Sequence, residues 1–232
     1  MKIKVEKNLT TFKKIITFIG KIGSETNIVF KEEGISIMVT GDGNTACSIK
    51  FNKDFFEEYE GEGKFGIIIT DLNNLLKKAV DSVTIEEHED RLLIKSGRMK
   101  AYAPLISDIE GYDKMPEIIT EYKVDLTMLK LTEALDQLAL IKPDEVEFEI
   151  REKKLYLKCE NGLRTMEIEL MDTEDIKLNV SIGMAYLMYL CSKTSDIITL
   201  HLKDATPLLA TYTKDGAELE YFVAPRIGNN KW

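Results

Sequence analysis

This chain is poor in the residues that usually carry chemistry. It has two histidines, His88 and His201, and three cysteines among 232 residues. Cys47, Cys159 and Cys191 are odd in number and form no CxxC pair, so neither a zinc-ligand spacing nor a complete disulfide framework is present. Three buried thiols in a reducing compartment are expected. No run of about 18 apolar residues occurs, which excludes a membrane-spanning helix. Residues Met1–Val5 alternate as a strand does and lack the apolar stretch of a secretory leader, so none is expected. No GxxxxGK[ST] loop and no GxSxG elbow appears, and Gly41-Asp42-Gly43-Asn44 reads as a turn. His88 lies in Glu86-Glu87-His88-Glu89-Asp90, a cluster that could bind a metal and equally reads as a solvated hairpin tip. His201 falls in the alternating run Thr199–Lys203 with no evident partner. Carboxylates are plentiful, but none is marked as a working acid–base pair.

What is present is charge, unevenly placed. The chain holds 31 Lys/Arg against 40 Asp/Glu, a net −9. The deficit falls wholly in residues 107–232, with 15 bases and 24 acids, whereas residues 1–106 hold 16 of each. Duplex affinity comes largely from neutralised phosphates, so any nucleic-acid contact here must come from a local basic surface and be weak.

One pattern of elements occurs twice. In the first half a strand at Lys2–Glu6 precedes an amphipathic helix near Asn8–Ile22 and three strands, Asn27–Lys31, Ile35–Thr40 and Ala46–Asn52. A strand at Lys64–Ile69, a helix at Asp71–Val80 and strands at Ser82–Glu87, Arg91–Ser96 and Arg98–Pro104 complete it. The second half repeats the order: strand Glu121–Asp125, helix Thr127–Leu140, three strands over residues 145–171, strand Ile176–Ile182, helix Met184–Ser192 and three strands over residues 196–223. Turn pairs such as Asn161-Gly162 and Asp215-Gly216 separate the alternating runs. A period of roughly 115 residues indicates duplicated domains rather than a solenoid of short repeats. Ser107–Thr120, with Gly111, Pro116 and five charges, breaks the alternation and reads as a connector. The expected organisation is α+β: two similar domains of antiparallel sheet with two helices each, residues 1–106 and 121–232, joined by 107–120.

The first helix sets Leu9, Phe12, Ile16 and Ile19 on one face, widened by Ile15 and Ile22. Thr10, Lys14, Thr17 and Lys21 lie opposite, with Lys13 beside them. Between Lys7 and Ile22 there are four lysines and no carboxylate. Such a stripe reads either as a solvated helix face or as a surface for phosphates. Lys77 and Lys78 close the second helix, where the dipole also favours cations. The third helix carries Lys130 but also Glu133 and Asp136, and Lys193 ends the fourth.

The final strand, Glu220-Tyr221-Phe222-Val223, stops at Ala224-Pro225-Arg226-Ile227, because proline cannot donate to a ladder. This ending resembles the C-terminal signature of sliding clamps of the proliferating-cell-nuclear-antigen (PCNA) family, and other matches follow in order along the whole chain. Phe12-Lys13-Lys14-Ile15-Ile16 resembles the family's first inner helix, and Phe55-Phe56-Glu57-Glu58-Tyr59 its F-x-x-Y turn. Pro104–Glu110 and Met115-Pro116-Glu117 resemble the two ends of its interdomain connector, and Thr206-Pro207-Leu208 a strand beside its docking pocket.

The resemblance implies a non-enzymatic DNA sliding clamp with no cofactor and no metal. Three subunits would close head to tail into a pseudo-sixfold ring around duplex DNA, sheets outside and helices inside. DNA would meet Lys13, Lys14, Lys21, Lys77, Lys78, Lys130 and Lys193. Partner proteins would dock on Thr40, Asn44, Ile109, Tyr112, Met115, Pro116, Pro207, Phe222, Val223, Ala224 and Pro225. Thr40 and Asn44 depart from the family's usual apolar residue and histidine. Neighbouring subunits would pair through Arg98, Met99, Lys100, Ala101 and Tyr102 on one edge and Leu163, Thr165, Met166 and Ile168 on the other. A closed ring covers strand edges that otherwise invite aggregation. The implied partners are sequence-independent duplex DNA, DNA polymerase, flap endonuclease, DNA ligase, an ATP-driven clamp loader and further copies of the chain, with no membrane. The implied location is cytoplasmic and nucleoid-associated in an archaeon, or nuclear in a eukaryote. The alternatives are a subunit of a heterotrimeric or checkpoint-type clamp and, from another class, a duplicated α+β metal-dependent enzyme acting through Glu86–Asp90.

Overall fold

The structure, a computed structural model, describes residues 1–109, 115, 121–174 and 176–226. It divides into two compact units, Met1–Met115 with Thr213–Glu220, and Pro116–Tyr212 with Tyr221–Trp232.

In the first unit β1 (Lys2–Val5) leads into α1 (Leu9–Ile22), then β2 (Glu25–Lys31), β3 (Gly34–Thr40), β4 (Thr45–Asn52) and β5 (Glu58–Glu60). After these come β6 (Gly63–Ile68), α2 (Ile69–Lys77), β7 (Val83–His88), β8 (Arg91–Ser96) and β9 (Met99–Ile106). The strands hydrogen-bond in the order β4-β3-β2-β6-β9-β8-β7-β1-β5, with antiparallel pairing. The second unit holds β10 (Tyr122–Thr127), α3 (Met128–Leu138), β11 (Glu145–Arg151), β12 (Lys154–Asn161), β13 (Arg164–Asp172) and β14 (Leu178–Gly183). It continues with α4 (Met184–Leu187) and β15 (Ile197–Leu202), and the last strands, β16 (Leu208–Lys214) and β17 (Ala217–Val223), are shared, since Thr213–Glu220 belong to the first unit. Here β13-β12-β11-β14 form one sheet, and β10-β15-β16-β17 run side by side in another. The architecture is the α+β duplication that the sequence periodicity predicts.

Alternation explains the sheets. β2 is buried at Thr26, Ile28 and Phe30, and β11 at Val146, Phe148 and Ile150, so each strand turns one face to the core. The helical stripe of α1 is buried as its spacing predicts, at Leu9, Phe12, Ile15, Ile16, Ile19 and Ile22. Phe12 lies against Phe51 and Phe55, with ring centroids 5.4 and 6.3 Å away, and Phe51 and Phe55 are 4.8 Å apart. These tilted aromatic contacts tie α1 to β4 and to the 3-10 turn Lys53–Phe55. Gly34 stands where a Cβ would fall 2.0 Å from the Phe51 carbonyl oxygen, at φ +142°, so only glycine fits the start of β3.

Three expectations are corrected. The helix expected at Met184–Ser192 is α-helical only over Met184–Leu187, and Met188–Leu190 continue as a 3-10 turn. Its buried residues Met184, Leu187 and Leu190 recur every three positions, the repeat of a 3-10 helix. Glu58 and Tyr59, read within a turn, fall instead in β5 (Glu58–Glu60), which pairs with β1 so that Lys2 lies opposite Glu60 and Lys4 opposite Glu58. Lys2 Nζ reaches Glu58 at 2.5 Å, an opposite-charge cross-strand contact. The expected domain boundaries were contiguous, whereas Thr213–Glu220 group with the first unit. The reason is local: the Asn52 amide donates to the Gly216 carbonyl at 2.9 Å, and Thr11 Oγ1 donates to Asp215 Oδ2 at 2.9 Å. Asp215 and Gly216 both adopt positive φ, 53° and 84°, as a tight hairpin turn demands.

Candidate nucleic-acid and partner interfaces

The basic residues of α1 divide by environment. Lys14 and Lys21 are exposed, and Lys13 is half-buried with its ammonium donating to the Ala79 carbonyl at 2.6 Å. Lys13 therefore ties α1 to the end of α2 rather than standing fully in solvent. A second link is Thr17 Oγ1 to Asn73 Oδ1, 2.9 Å. Lys77 and Lys78 are exposed, and Lys77 Nζ lies 3.4 Å from Asn74 Oδ1. Asp215, 2.9 Å from Thr11, places a carboxylate at the first turn of a helix that has no acid of its own there. The helix dipole favours that placement. Sequence counting missed it because Asp215 is 204 residues away from Thr11.

In the second unit, Thr127 caps α3 by accepting the Lys130 amide at 3.2 Å. Leu131, Thr132, Ala134, Leu135 and Leu138 are buried, while Lys130, Glu133 and Asp136 are all exposed. The acidic character read from the sequence is thus presented to solvent. Lys193 is exposed and lies beyond the 3-10 turn that ends at Leu190, not on a helix.

The expected docking residues differ in access. Thr40 and Asn44 are exposed, and Ile109, Met115, Pro207, Phe222, Ala224 and Pro225 are half-buried. Val223 is 0% exposed, so it belongs to the core of its unit and not to a surface. Tyr112 and Pro116 lie outside the described residues. After β17 the tail turns along β14, where Pro225 bridges Ile182 and the Arg226 amide donates to the Ser181 carbonyl at 2.8 Å.

Two strands present open stretches at the positions expected for subunit contacts. Among the described residues β9 pairs with β8 from Met99 to Pro104, and with β6 only at Leu105 and Ile106. Among the described residues β13 ends its sheet, paired only with β12. Arg98, Lys100, Tyr102, Leu163 and Thr165 are exposed, and Met99, Ala101, Met166 and Ile168 are half-buried. The structure adds two apolar residues to these regions, Val80 (66% exposed) and Leu140 (73% exposed). Val80 follows α2 and exchanges hydrogen bonds with Ser96 Oγ beside the β8–β9 turn. Leu140 lies in the 3-10 turn Ala139–Ile141, whose Ile141 carbonyl accepts from Asn161 Nδ2 at the β12–β13 turn. Their exposure was not evident from helical periodicity, which placed both at helix ends.

The residues of the alternative enzyme reading do not converge. His88 is exposed at the end of β7, with its ring edge-on to Tyr102 at 6.2 Å. Among the described residues no group of three His, Cys, Asp or Glu side chains could hold a metal ion. His201 does have a partner, Thr211 Oγ1 at 3.1 Å across the β15–β16 pair. Cys47 is fully buried, which pushes its thiol pKa well above the usual value. Among the described residues no helix is long and apolar enough to cross a membrane.

Two units of antiparallel sheet, each opening strand–helix and carrying a second helix, define the fold of the PCNA-type clamps. The C-terminal region of FEN-1 bound to A. fulgidus PCNA contains a PCNA chain that superposes with a TM-score of 0.89, covering 99% of both chains at 20% identity. A PCNA2–PCNA3 complex from Sulfolobus tokodaii gives 0.83, covering 97% of this chain and 99% of that one at 22% identity. In sequence the chain is 28% identical over 239 residues to DNA polymerase sliding clamp 1 of Pyrobaculum aerophilum, covering 93% of this chain and 94% of that protein. No family model matches the chain. Over most of its length the chain is similar to proteins named DNA polymerase sliding clamps, and it shares the fold of PCNA.

Proposed function

We propose that this chain is a DNA sliding clamp, a processivity factor that encircles duplex DNA and tethers replication and repair enzymes while catalysing nothing itself. The observation that carries this is sequence similarity to the sliding clamps over 93% of the chain together with the PCNA fold over 99% of it. Ring closure between copies would pair the open stretch of β9 with β13. Val80 and Tyr102 would meet Leu140 and Leu163, burying apolar surface that the single chain leaves in water. Exposed Lys14, Lys21, Lys77 and Lys78, and in the second unit Lys130 and Lys193, would face phosphates. Flexible ammonium groups make diffuse contacts that permit sliding without base readout. Exposed Glu133 and Asp136 weaken the second unit's share, so the first unit would carry most of the attraction.

Partner proteins would dock on Thr40, Asn44, Ile109 and Met115 of the first unit, and on Pro207, Phe222, Ala224 and Pro225 of the second. The A. fulgidus PCNA binds the C-terminal region of FEN-1, and a peptide of that class is the expected ligand here. Polymerase, ligase and an ATP-driven loader are the further partners proposed. The DNA-associated compartment would be the archaeal cytoplasm or a eukaryotic nucleus, and the archaeal relatives favour the first. A second reading, one subunit of a heteromeric ring, is favoured by the likeness to the S. tokodaii PCNA2–PCNA3 complex. Light scattering over a dilution series separates the two. A mass about three times the 26.4 kDa chain supports the self-sufficient ring, and a persistent monomer supports the heteromeric one.

A further inference from the structure

Asn27 sits in the middle of β2, where asparagine is a poor strand former. Its neighbours Thr26 and Ile28 are buried, and Asn27 itself points away from that core face, half-buried. The side chain explains the choice. Asn27 Nδ2 donates to the Ile109 carbonyl at 2.8 Å, and the Ile109 amide donates to Asn27 Oδ1 at 3.2 Å. A side-chain amide offers one donor edge and one acceptor, as a peptide group does, so Asn27 pairs with residue 109 as a strand would. Ile109 is 82 residues away along the chain.

The path from β9 to Ile109 is also built. Regular pairing of β9 with β6 ends at Gly66 opposite Ile106. Gly66 is in turn the register partner of Asn27 across β2 and β6. A Cβ on Gly66 would fall 2.8 Å from the Ser107 carbonyl oxygen and 2.9 Å from that of Ile106. Only a residue without a side chain lets the chain pass this closely over β6 toward β2. Beside the crossing, Lys64 Nζ meets Asp108 Oδ1 at 2.6 Å. A gap at Gly66, a two-point capture at Asn27 and an ion pair at Lys64 therefore act on three consecutive residues, Ser107, Asp108 and Ile109.

We propose that Asn27 is a positioning residue for partner docking: it fixes the entry of the connector so that Ile109 is presented to a partner peptide. This rests on the docking surface proposed above. Asn27 does not itself touch the peptide; it acts through the backbone of Ile109.

The test uses the full chain in its assembled state. Asn27→Ala removes both hydrogen bonds. Asn27→Asp, of nearly the same shape, keeps the acceptor for the Ile109 amide but cannot donate to its carbonyl, and serves should the alanine variant fold poorly. Two readouts are taken: deuterium uptake in a proteolytic fragment containing Ile109, and affinity for a synthetic peptide of the A. fulgidus FEN-1 C-terminal region. Both variants are expected to keep the wild-type mass. In the alanine variant the Ile109 amide should exchange at least about tenfold faster and the peptide bind roughly fivefold more weakly, the ratio that one ordinary hydrogen bond's worth of positioning gives. In the aspartate variant the peptide should weaken while Ile109 exchange stays closer to wild type. Unchanged exchange in the alanine variant overturns the anchor. Faster exchange with undiminished peptide affinity overturns its role in docking. Failure of the wild type to bind the peptide, with Ile109 protected, overturns the docking reading and this inference with it.

Discussion

Thr132 offers a sharp test of how the helices of the second unit are held. It is 4% exposed in the middle of α3. Its hydroxyl donates to the Met128 carbonyl at 2.7 Å and accepts the Ser192 amide at 2.8 Å, with the Ser192 carbonyl 3.2 Å away. It is the side-chain fastening between α3 and the chain leaving the α4 turn, beside the Met128 and Leu129 amides, which donate to the Asp196 and Thr194 carbonyls at 2.9 Å each. Replacing Thr132 by Val keeps the shape and removes the acceptor, so the Ser192 amide loses its partner in a half-buried place. Leaving such a group unsatisfied costs about 1–2 kcal/mol. For a chain of this size that lowers the melting temperature by roughly 2–8 °C, read by calorimetry at matched protein concentration. Thr132→Ser keeps the hydroxyl and should lose less than half as much. A valine variant as stable as the wild type, or a serine variant as damaged as the valine one, refutes the reasoning.

Four further outcomes are expected. Reversing Lys14 and Lys21 to Glu should leave the assembled mass unchanged, lower polymerase stimulation by about fivefold and flatten the salt dependence of DNA binding. Unchanged stimulation removes α1 from the DNA contact. Phe222→Ala should weaken a FEN-1-type peptide by about tenfold, as the loss of an aromatic anchor does, and undiminished binding by titration calorimetry discredits that surface. In the native protein Cys47, buried with its thiol pKa raised by desolvation, should resist a thiol-specific reagent while Cys191 reacts first; mass spectrometry of the modified protein decides the order. Tyr59 has its pKa raised, chiefly by burial. Its stabilising share is therefore full below the unfolded value near 10 and lost as pH rises through the folded value. Tyr59→Phe should flatten the alkaline limb of a stability–pH curve, and an unaltered limb contradicts the assignment.

Much of the fold was legible because its signals are local. The stripe Leu9, Phe12, Ile16 and Ile19 marked α1 to within a residue, and alternation marked most strands. The misses share a cause, since they depend on residues distant in sequence. β5 is only Glu58–Glu60, too short to alternate visibly, and it exists because Lys2 and Lys4 lie across from it. The 3-10 continuation of α4 follows from core spacing that a helical reading cannot separate from 3.6. At the interfaces, sequence marked the basic helix face and the tail, yet Val223 packs inward because strand parity turns it to the core beside fully buried Tyr221. The roles of Asn27 and Gly66 were invisible, because an asparagine in a strand shows its purpose only when residue 109 folds back over it.

The proposed clamp would hold DNA by surrounding it rather than by affinity. The direct measurement incubates the concentrated protein with linear duplex, caps both DNA ends with a bulky protein block, and then passes the mixture through a sizing column at about 0.5 M salt, where phosphate attraction is largely screened. Encirclement predicts that protein travels with DNA whose ends were capped after loading and is lost from DNA whose ends were left free. Equal retention on both, or retention on neither, contradicts it.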